Sequence, residues 1–380
     1  MLNPYFEEEH NLLRDQVRKF VEKEIVPNGD AWEEQGYVPR ELLLKMGELG
    51  FFGLTHEEKY GGSQLDVRAA AVLAEELARS TYAGVTITTL VHTNMASPHL
   101  ALAGTDEQKQ KYLPDIIAGK KITAVCVTEP AAGSDVAGIK ARAVREGDEW
   151  VINGSKMFIT NGVHGDIYFV AAKTDPTAKG SRGISMFIVE KGTPGFEIGR
   201  SLKKHGWRSS DTAELFFDNV RVPAENLLGE ENKGFYAVMK NFQHERIMLS
   251  AMGVGEAQKA IDITLENVKQ RQAFGGALFD KDVVRDKLAR AQTKVSLAQN
   301  YCHYVAWLDA QGADCIKEVS MLKANACDIA NEVMYDCLQL HGGMGFMSES
   351  PIERMYRDAR VLPIGGGATE VMYGEVAKRM

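Results

Sequence analysis

The spacing of apolar residues along the chain predicts a helical region first. Up to about residue 120, apolar residues recur every three or four positions, the spacing of amphipathic helices. Asp66 and Thr105 open two of these segments, and both are residue types that cap helix N-termini. Residues 1–120 are therefore predicted to form an N-terminal α-helical domain. The segments are MLNPYFEEEHNLLRDQVRKF, ELLLKMGELGFFGL, DVRAAAVLAEELARS and TDEQKQKYLPDIIAG.

The pattern changes to short strand-like runs between residues 121 and 232. These runs are rich in β-branched and aromatic residues and are bounded by Gly, Asp, Asn or Pro, which is typical of strands. Several such strands at close spacing predict a middle β-barrel or sandwich domain. The runs are KITAVCVTEP, EWVINGSKMFITNG, DIYFVAAKT, GISMFIVEK and AELFFDNVRVP.

Long helical patterns return at residue 233 and continue to residue 380. Three long helices and a short final one predict a C-terminal four-helix bundle with antiparallel neighbours. The predicted fold class is α+β, with the β domain between two helical domains.

Composition indicates a soluble globular protein of two or three domains. The 380 residues exceed what one core usually serves, and 44% are hydrophobic and 25% charged. The net charge of −8, without a Lys/Arg-rich run, argues against nucleic acid as a partner. No apolar run reaches the ~18 residues of a membrane span. The N-terminus carries acids early, unlike a signal or transit peptide, so we expect a cytoplasmic protein.

Cysteine and histidine positions change this picture little. The five cysteines are scattered, odd in number and without a CxxC pair, which is typical of reduced thiols in an intracellular protein. His92 and His99 could share a helix face, but no carboxylate completes a metal-binding set, so no metal site is expected.

A charged pair lies on the apolar face of the first long C-terminal helix. At ~100° per residue, Glu245 and Arg246 fall at the two margins of that face. The apolar face itself comprises Phe235, Val238, Met239, Phe242, Leu249, Met252 and Gly253. The polar residues predicted to point mostly elsewhere are Lys240, Asn241, His244 and Ser250.

The pair has two interpretations. It can be an ion pair with another helix or subunit, and structural pairs of this kind outnumber catalytic acids. Alternatively, apolar surroundings raise the pKa of Glu245, which then acts as a base beside a cation that binds an anionic ligand.

Three successive glycines, Gly365–Gly367, stand in the stretch IGGGATEV near the C-terminus. They can cradle a phosphate, mark a loose end, or occupy a position where a side chain must be absent. No GKS or GKT follows, which disfavours a phosphate loop. The following ATEVMYGEVAKRM resumes a helical pattern, which disfavours a loose end.

Several stretches together closely resemble the acyl-CoA dehydrogenase family, in its order and at its spacing over essentially the whole chain. They are VTEPAAGSD, FITNG, HGWRSSDTAELFFDNVRVPAENLLGEENKGF, RQAFG, LQLHGGMGF and YRDARVLPIGGGATEVM. The resemblance implies one FAD per subunit, an acyl-CoA substrate of lipid metabolism, and a tetramer built as a dimer of dimers. The implied reaction takes the α-hydrogen as a proton and the β-hydrogen as hydride to flavin N5. Electrons then pass to electron-transfer flavoprotein.

The resemblance also bears on the glycines and on Glu245. Many family members carry the catalytic glutamate at the position of Gly366, whereas the long-chain and isovaleryl-CoA branches carry it in a Glu-Arg pair matching Glu245 and Arg246. Glu245 is thus the predicted base, and Gly366 is a vacancy that leaves room for it. The implied substrate-binding residues are Ser134, Gln243, Arg246 and Gly366, the last through its backbone N–H to the thioester carbonyl. Gln243 departs from the aspartate that is common there.

The implied FAD-binding residues fall into four groups. The segment along the flavin ring comprises Val125, Cys126, Val127, Thr128, Gly133 and Ser134, and the segment covering the ring comprises Phe158, Ile159 and Thr160. The residues implied to meet FAD across the subunit interface are Arg271, Phe274, Gln339, Leu340, His341, Gly342 and Gly343. Asp282 stands where the family often has a glutamine on the cofactor, which leaves that contact open. Ala368, Thr369 and Glu370 are implied to contact the adenosine half.

Two other functions stay open from the sequence. One is an acyl-CoA oxidase that passes electrons to O2, although the chain lacks the extra domain of typical acyl-CoA oxidases. The other is a catalytically inactive flavin-binding partner subunit, which the vacancy at Gly366 suggests and the presence of Glu245 opposes.

Overall fold

Helices occupy the N-terminal part of the chain, as predicted. The computed structural model describes residues 3–178, 180 and 182–380, without the side chains of residues 236–238 and 240. The helices are α1 (Glu8–Phe20), α2 (Gly29–Gln35), α3 (Arg40–Glu48), α4 (Val67–Ala78), α5 (Ala83–Leu90), α6 (Ser97–Ala103) and α7 (Asp106–Ile117). The π-helical turn Val91–Ala96 joins α5 to α6.

Both predicted caps are present. The Asp66 carboxylate accepts a hydrogen bond from the backbone N–H of Arg68 at 2.8 Å and begins α4. Thr105 and Gln108 form a reciprocal capping box at the start of α7. These bonds satisfy N–H groups that the first turn of a helix leaves without a partner.

The middle of the chain forms a β-sheet. Its strands are β1 (Thr123–Cys126), β2 (Arg142–Glu146), β3 (Glu149–Thr160), β4 (Ile167–Lys173), β5 (Ile184–Glu190), β6 (Phe196–Ser201), β7 (Thr212–Pro223) and β8 (Leu227–Leu228). The strand order is β6-β7-β3-β2-β4-β5-β8, and β1 pairs with β4 in parallel. The five predicted strands β1, β3, β4, β5 and β7 are confirmed, whereas β2, β6 and β8 escaped prediction.

The sheet folds over its own core. The rings of Trp150 on β3 and Phe187 on β5 lie 5.3 Å apart, although three strand spacings, about 14 Å in a flat sheet, separate their strands. Tyr168 on β4 and Phe196 on β6 lie 4.8 Å apart across the same core. The outer faces of β4 and β5 pack on α7, which explains why these strands are apolar on both faces.

Long helices form the C-terminal part. They are α8 (Gly234–Gln270), α9 (Asp282–Ala310), α10 (Ile316–His341), α11 (Pro351–Ala359) and α12 (Thr369–Ala377), with the short hairpin strands β9 (Gln272–Ala273) and β10 (Gly276–Ala277) after α8. The α+β fold class with two helical domains and a middle sheet domain is confirmed; α11 is an additional short helix that the pattern did not predict.

Helix α8 is the central helix, because it packs on α10 of the bundle and on α4 of the N-terminal region. At Gly255 a Cβ atom would lie 2.2 Å from the carbonyl oxygen of Glu75 on α4, so only glycine permits this approach. Packing on both sides buries almost the whole circumference of α8 between Glu245 and Ala257. Within the described residues, every helix is too short or too polar to cross a bilayer.

Candidate active site

Glu245 is a buried carboxyl group on α8. Its side chain is 7% exposed and forms no ion pair among the described side chains. Burial raises its pKa to about 8, while a hydrogen bond from Asn241 and the charge of Arg246 act in the opposite direction. Among the described residues Glu245 therefore has no ion pair with another helix, and its carboxyl group has the raised proton affinity that the second interpretation expects.

Asn241 corrects the helical-wheel prediction. It was expected to point away from the apolar face, but it is fully buried, and its Nδ2 donates to Oε1 of Glu245 at 3.1 Å. Ser250 is also buried and donates to the carbonyl oxygen of Arg246. The prediction failed for these two residues because packing covers most of α8 here, whereas the His244 side chain is 42% exposed, as predicted, and pairs with Asp309. The i, i+4 spacing of Asn241 and Glu245 places both on one face of the helix, and this spacing could have predicted their contact. The Val238 and Lys240 side chains lie outside the described residues.

Arg246 is buried next to the base. It is 4% exposed, its guanidinium lies 5.9 Å from the ring centroid of Phe242, and its Nε has no hydrogen-bond partner in the described part of the chain. Burial lowers its pKa. A buried cation with an unused donor is suited to an anionic or polar ligand. Gln243 lies beside it with a buried, unpartnered Oε1.

The glycine stretch packs directly against α8. Gly366 has a φ of +64°, and a Cβ atom there would lie 2.2 Å from Cδ1 of Leu249. The space that a side chain at position 366 would take is therefore filled by Leu249, one turn beyond Glu245. A side chain at position 366 would require Leu249 to move. Its backbone N–H has no protein acceptor among the described residues.

A buried lysine holds both ends of this stretch. Lys323 on α10 is fully buried, and its Nζ donates to the carbonyl oxygen of Leu362 at 2.8 Å and to that of Gly367. The two acceptors flank the loop that carries Gly366. Lys323 therefore fixes the loop that presents the free N–H, although no sequence motif singled this lysine out.

A buried ion pair fixes the predicted flavin-ring segment. Lys156 on β3 is fully buried and donates to Oε1 of Glu129 at 2.8 Å and to the carbonyl oxygen of Val127 at 3.0 Å. Glu129 also accepts from the backbone N–H groups of Lys140 and Ala141. The loop after β1 is thus tied to β3 through side chains that the sequence motifs did not identify.

The predicted residues of these two segments are brought together. The carbonyl oxygen of Thr128 accepts from the N–H of Met157 at 2.9 Å, which places the loop beside Phe158 and Thr160. The hydroxyl groups of Thr128, Ser134 and Thr160 have no partner within the described residues. Of the remaining residues, Val125 is half-buried and Gly133 is exposed, Cys126 and Ile159 are buried in the sheet core, and Val127 is buried between the sheet and α7.

Phe158 has a backbone conformation that bulky residues rarely adopt. Its φ is +60° at a bulge in the pairing of β3 with β7, and its side chain is 61% exposed. Strain of this kind persists at binding sites because the surrounding structure enforces it. An aromatic ring held open to solvent is suited to cover a planar ligand.

The residues predicted to meet FAD from a neighbouring subunit form a separate cluster. The Arg271 guanidinium donates to the carbonyl oxygen of His341 at 2.9 Å and lies 3.0 Å from where a Cβ of Gly342 would be. Arg271 has no carboxylate partner among the described residues, and Phe274 is 91% exposed. Around this turn, Gln339 and Gly343 are exposed and Leu340 is half-buried.

The cluster is remote from the base within one chain. Arg271 lies 26 residues beyond Glu245 along α8, which at 1.5 Å per residue corresponds to about 39 Å.

Asp282 pairs with Arg285 at an exposed helix start. Thr369 donates to Oδ1 of Asp328, and Glu370 is exposed at the start of α12 after Ala368.

The chain's residues fit a flavin dinucleotide. Within the described residues, the unpartnered hydroxyl groups of Thr128, Ser134 and Thr160 and the exposed ring of Phe158 flank the loop after β1. Arg271, beside glycines that permit close approach, provides the planar cation that pyrophosphate prefers.

Comparison with known proteins supports the same conclusion. Family models described as acyl-CoA dehydrogenase N-terminal, middle and C-terminal domains match residues 7–120, 124–220 and 232–380. The chain is 41% identical over 382 residues to the mitochondrial long-chain specific acyl-CoA dehydrogenase of Mus musculus, covering 99% of this chain and 87% of that protein.

Two further similarities extend the comparison. The chain is 39% identical over 369 residues to the caffeyl-CoA reductase-Etf complex subunit CarC of Acetobacterium woodii, covering 97% of each. The crystal structure of acyl-CoA dehydrogenase from Geobacillus kaustophilus superposes with a TM-score of 0.95 at 42% identity, covering 100% of this chain and 99% of that one.

The fold and the site define a flavin-dependent oxidoreductase with FAD as its cofactor. The chain belongs to the acyl-CoA dehydrogenase family.

Proposed function

We propose that the protein converts a saturated acyl-CoA to the trans-2-enoyl-CoA with Glu245 as the base that removes the α-proton. The observation that carries this proposal is the state of Glu245, a buried carboxyl group without an ion-pair partner in the described residues and with a pKa of about 8. A base with a pKa near the working pH combines proton affinity with a useful ionised fraction. Gly366, which carries no side chain, cannot supply a second carboxylate.

The remaining roles follow from the surrounding groups. The groups that flank the loop after β1 would hold FAD, which would supply the acceptor for the hydride from the β-carbon. The free N–H of Gly366 donates to the thioester carbonyl and stabilises the enolate that develops as Glu245 takes the proton. Arg246 binds a polar part of the CoA arm near the thioester. Burial of Glu245 and Arg246 excludes water and strengthens these interactions.

The substrate range and the electron acceptor are further parts of the proposal. A straight medium-to-long or branched acyl chain is proposed, and similarity to a long-chain specific enzyme supports it. Electron-transfer flavoprotein is proposed as the acceptor, because one relative is named as a subunit of an Etf complex. Release of hydrogen peroxide in air without an added carrier would instead identify an oxidase.

We also propose a homotetramer built as a dimer of dimers. The separation of about 39 Å between Arg271 and Glu245 supports it, because Arg271 then serves the cofactor of a neighbouring copy. Arg271→Ala should lower the FAD content, and mixing it with Glu245→Gln should restore activity in hybrid oligomers. Cytoplasmic localisation stays a prediction from the sequence.

The test is anaerobic mixing of the FAD-loaded protein with a panel of saturated acyl-CoAs while the oxidised flavin absorbance is followed. Rapid bleaching is expected with some chain lengths. Its rate should rise with pH, with the midpoint of the rise near pH 8, the pKa of Glu245. Glu245→Gln should slow bleaching about 10²–10⁴-fold while binding FAD normally. Bleaching that survives this substitution would refute the base assignment, and a yellow protein that never bleaches would indicate an inactive flavin-binding subunit.

A further inference from the structure

We propose that Asn241 is a positioning residue that orients the Glu245 carboxylate and favours its ionised, proton-accepting form. The proposal rests on the proposed role of Glu245 as the base. It adds a residue outside the matched sequence motifs, and it assigns a specific task to a buried carboxamide on the same helix.

The carboxamide of Asn241 has its two N–H donors directed to three acceptors. Nδ2 lies 3.1 Å from Oε1 of Glu245, 3.0 Å from the carbonyl oxygen of Met95 and 3.4 Å from that of Asn94. All of these acceptors lack a proton when Glu245 is ionised, so only the NH2 side of the amide can face them. The network therefore determines which way the amide points, and Oδ1 is left without a partner among the described residues.

The π-helical turn Val91–Ala96 provides the backbone carbonyl groups that hold the Asn241 side chain in place. A π-helical turn shifts backbone carbonyl groups away from the regular α-helical pattern, and such turns are frequent at functional sites. Asn241 satisfies carbonyl groups at the end of this turn and simultaneously holds the carboxylate on α8. The position of the Glu245 carboxylate is thereby fixed by the N-terminal region as well as by its own helix α8.

The charged and titratable groups around Glu245 leave Asn241 as its single side-chain donor in the described residues. Arg246 on the same helix contributes charge without a hydrogen bond. Lys323 of α10, Glu375 of α12 and Arg379, which lies beyond the end of α12, interact electrostatically with Arg246. Burial lowers the pKa of His92, within the π-helical turn, to about 3 and that of His99, on α6, to about 4, so both imidazoles are neutral.

Loss of the Asn241 donor should raise the pKa of Glu245 further, because burial then acts against ionisation with less opposition. Two nearly isosteric substitutions of Asn241 test this expectation. Asn241→Leu removes the donor, and Asn241→Asp replaces it with a second carboxyl group, which disfavours ionisation more strongly. The midpoint of the pH profile for anaerobic flavin reduction should move upward by about one unit in Asn241→Leu and by more in Asn241→Asp.

A direct measurement on the oxidised, substrate-free enzyme accompanies the kinetics. The infrared carboxyl band of Glu245, isolated by subtraction of Glu245→Gln, is titrated with pH in each background. The same upward shift is expected, and the limiting rate should fall more than KM rises. Should Asn241→Leu fail to retain FAD, Asn241→Asp, which keeps the side-chain volume, carries the test.

Asn331→Leu is the matched control. Asn331 on α10 also donates through Nδ2 to two backbone carbonyl groups, those of Cys327 and Ala359. Its substitution should lower stability similarly and leave the pH profile unchanged. An unshifted infrared titration in both Asn241 variants would overturn the inference even if Glu245 is essential. Activity surviving in Glu245→Gln would overturn the proposed function instead, whatever the titration shows.

Discussion

A Cβ atom on Gly366 would lie 2.2 Å from Cδ1 of Leu249, so these two positions compete for the same space. Leu249 follows Glu245 by one helical turn. A carboxylate on α8 and a glycine in the C-terminal loop are consequently parts of one packing arrangement. The loop packs this closely on Leu249 because position 366 has no side chain.

Gly366→Ala should therefore impair both stability and flavin reduction. The added methyl group clashes with Leu249, and a φ of +64° costs a residue with a Cβ about 1 kcal/mol more than glycine. We expect at least a tenfold slower anaerobic reduction and a lower melting temperature.

Leu249→Ala supplies the control in a double-mutant cycle. By itself it should destabilise the protein by about 2–5 kcal/mol, because Leu249 is buried. In combination with Gly366→Ala it should relieve the clash, so that the double variant loses less stability than the two single variants lose together. Strict additivity would show that Leu249 does not limit position 366.

Lys323→Met should slow the chemistry more than it weakens substrate binding. The substitution leaves the carbonyl oxygens of Leu362 and Gly367 without their buried donor, at about 1–3 kcal/mol each, and frees the loop that carries Gly366. We expect at least a tenfold lower limiting rate of anaerobic reduction.

Lys294→Met is the control for Lys323, since Lys294 pairs with Glu332 on the exposed surface and such pairs contribute little. Equal effects of the two substitutions would mean that Lys323 does not organise the loop.

Lys156→Met should lower FAD retention. Removing the lysine leaves Glu129 as a buried charge without its cation, which destabilises by about 3–5 kcal/mol and releases the loop after β1. The ratio of flavin absorbance to protein after gel filtration measures retention. Lys156→Met combined with Glu129→Gln should retain more FAD than Lys156→Met alone. A single variant that stays fully loaded would argue against this role.

The raised pKa of Glu245 predicts a specific pH dependence of stability. The folded-state pKa of about 8 lies above the ordinary value of 4.5, so the native state holds a proton that the unfolded state releases. This contribution to the free energy of unfolding is complete below about pH 4.5. It is lost as pH rises to about 8, by about 1.4 kcal/mol per pH unit. In chemical denaturation measurements, Glu245→Gln should abolish the part of this pH dependence that comes from the proton bound to Glu245.

Glu256→Gln is the matched control for that experiment. Glu256 also lies buried on α8, neither carboxylate oxygen has a partner in the described residues, and burial raises its pKa. Its substitution should likewise reduce the pH dependence of stability, but it should leave the pH profile of flavin reduction unchanged. If both substitutions alter that profile equally, the profile does not report the base.

Sequence patterns predicted the elements whose signals are local. Asp66 and Thr105 cap their helices because capping involves residues two or three positions away. Strands β4 and β5 were evident because burial on both faces requires continuous apolar runs. Strand β2 was missed because only Ala143 of its five residues is buried, and β6 because only Phe196 is buried.

The candidate-site contacts to backbone carbonyl groups that escaped prediction are long-range. Asn241 and Lys323 bind backbone carbonyl groups that any sequence would provide, so no motif marks them. The glycine stretch predicted the absence of a side chain, but only packing reveals that Leu249 fills the space. Glu245 was predictable because a charge on an apolar stripe is unusual, and its family resemblance gave that charge a role.

The most direct test of the account separates proton removal from hydride transfer. An acyl-CoA analogue with sulfur in place of the β-carbon can lose its α-proton but cannot deliver a hydride from that position. The wild-type protein should deprotonate it and give a long-wavelength absorbance band with the oxidised flavin, whereas Glu245→Gln should bind the analogue without forming the band. A band of equal intensity and rate in Glu245→Gln would contradict the assignment of Glu245 as the base.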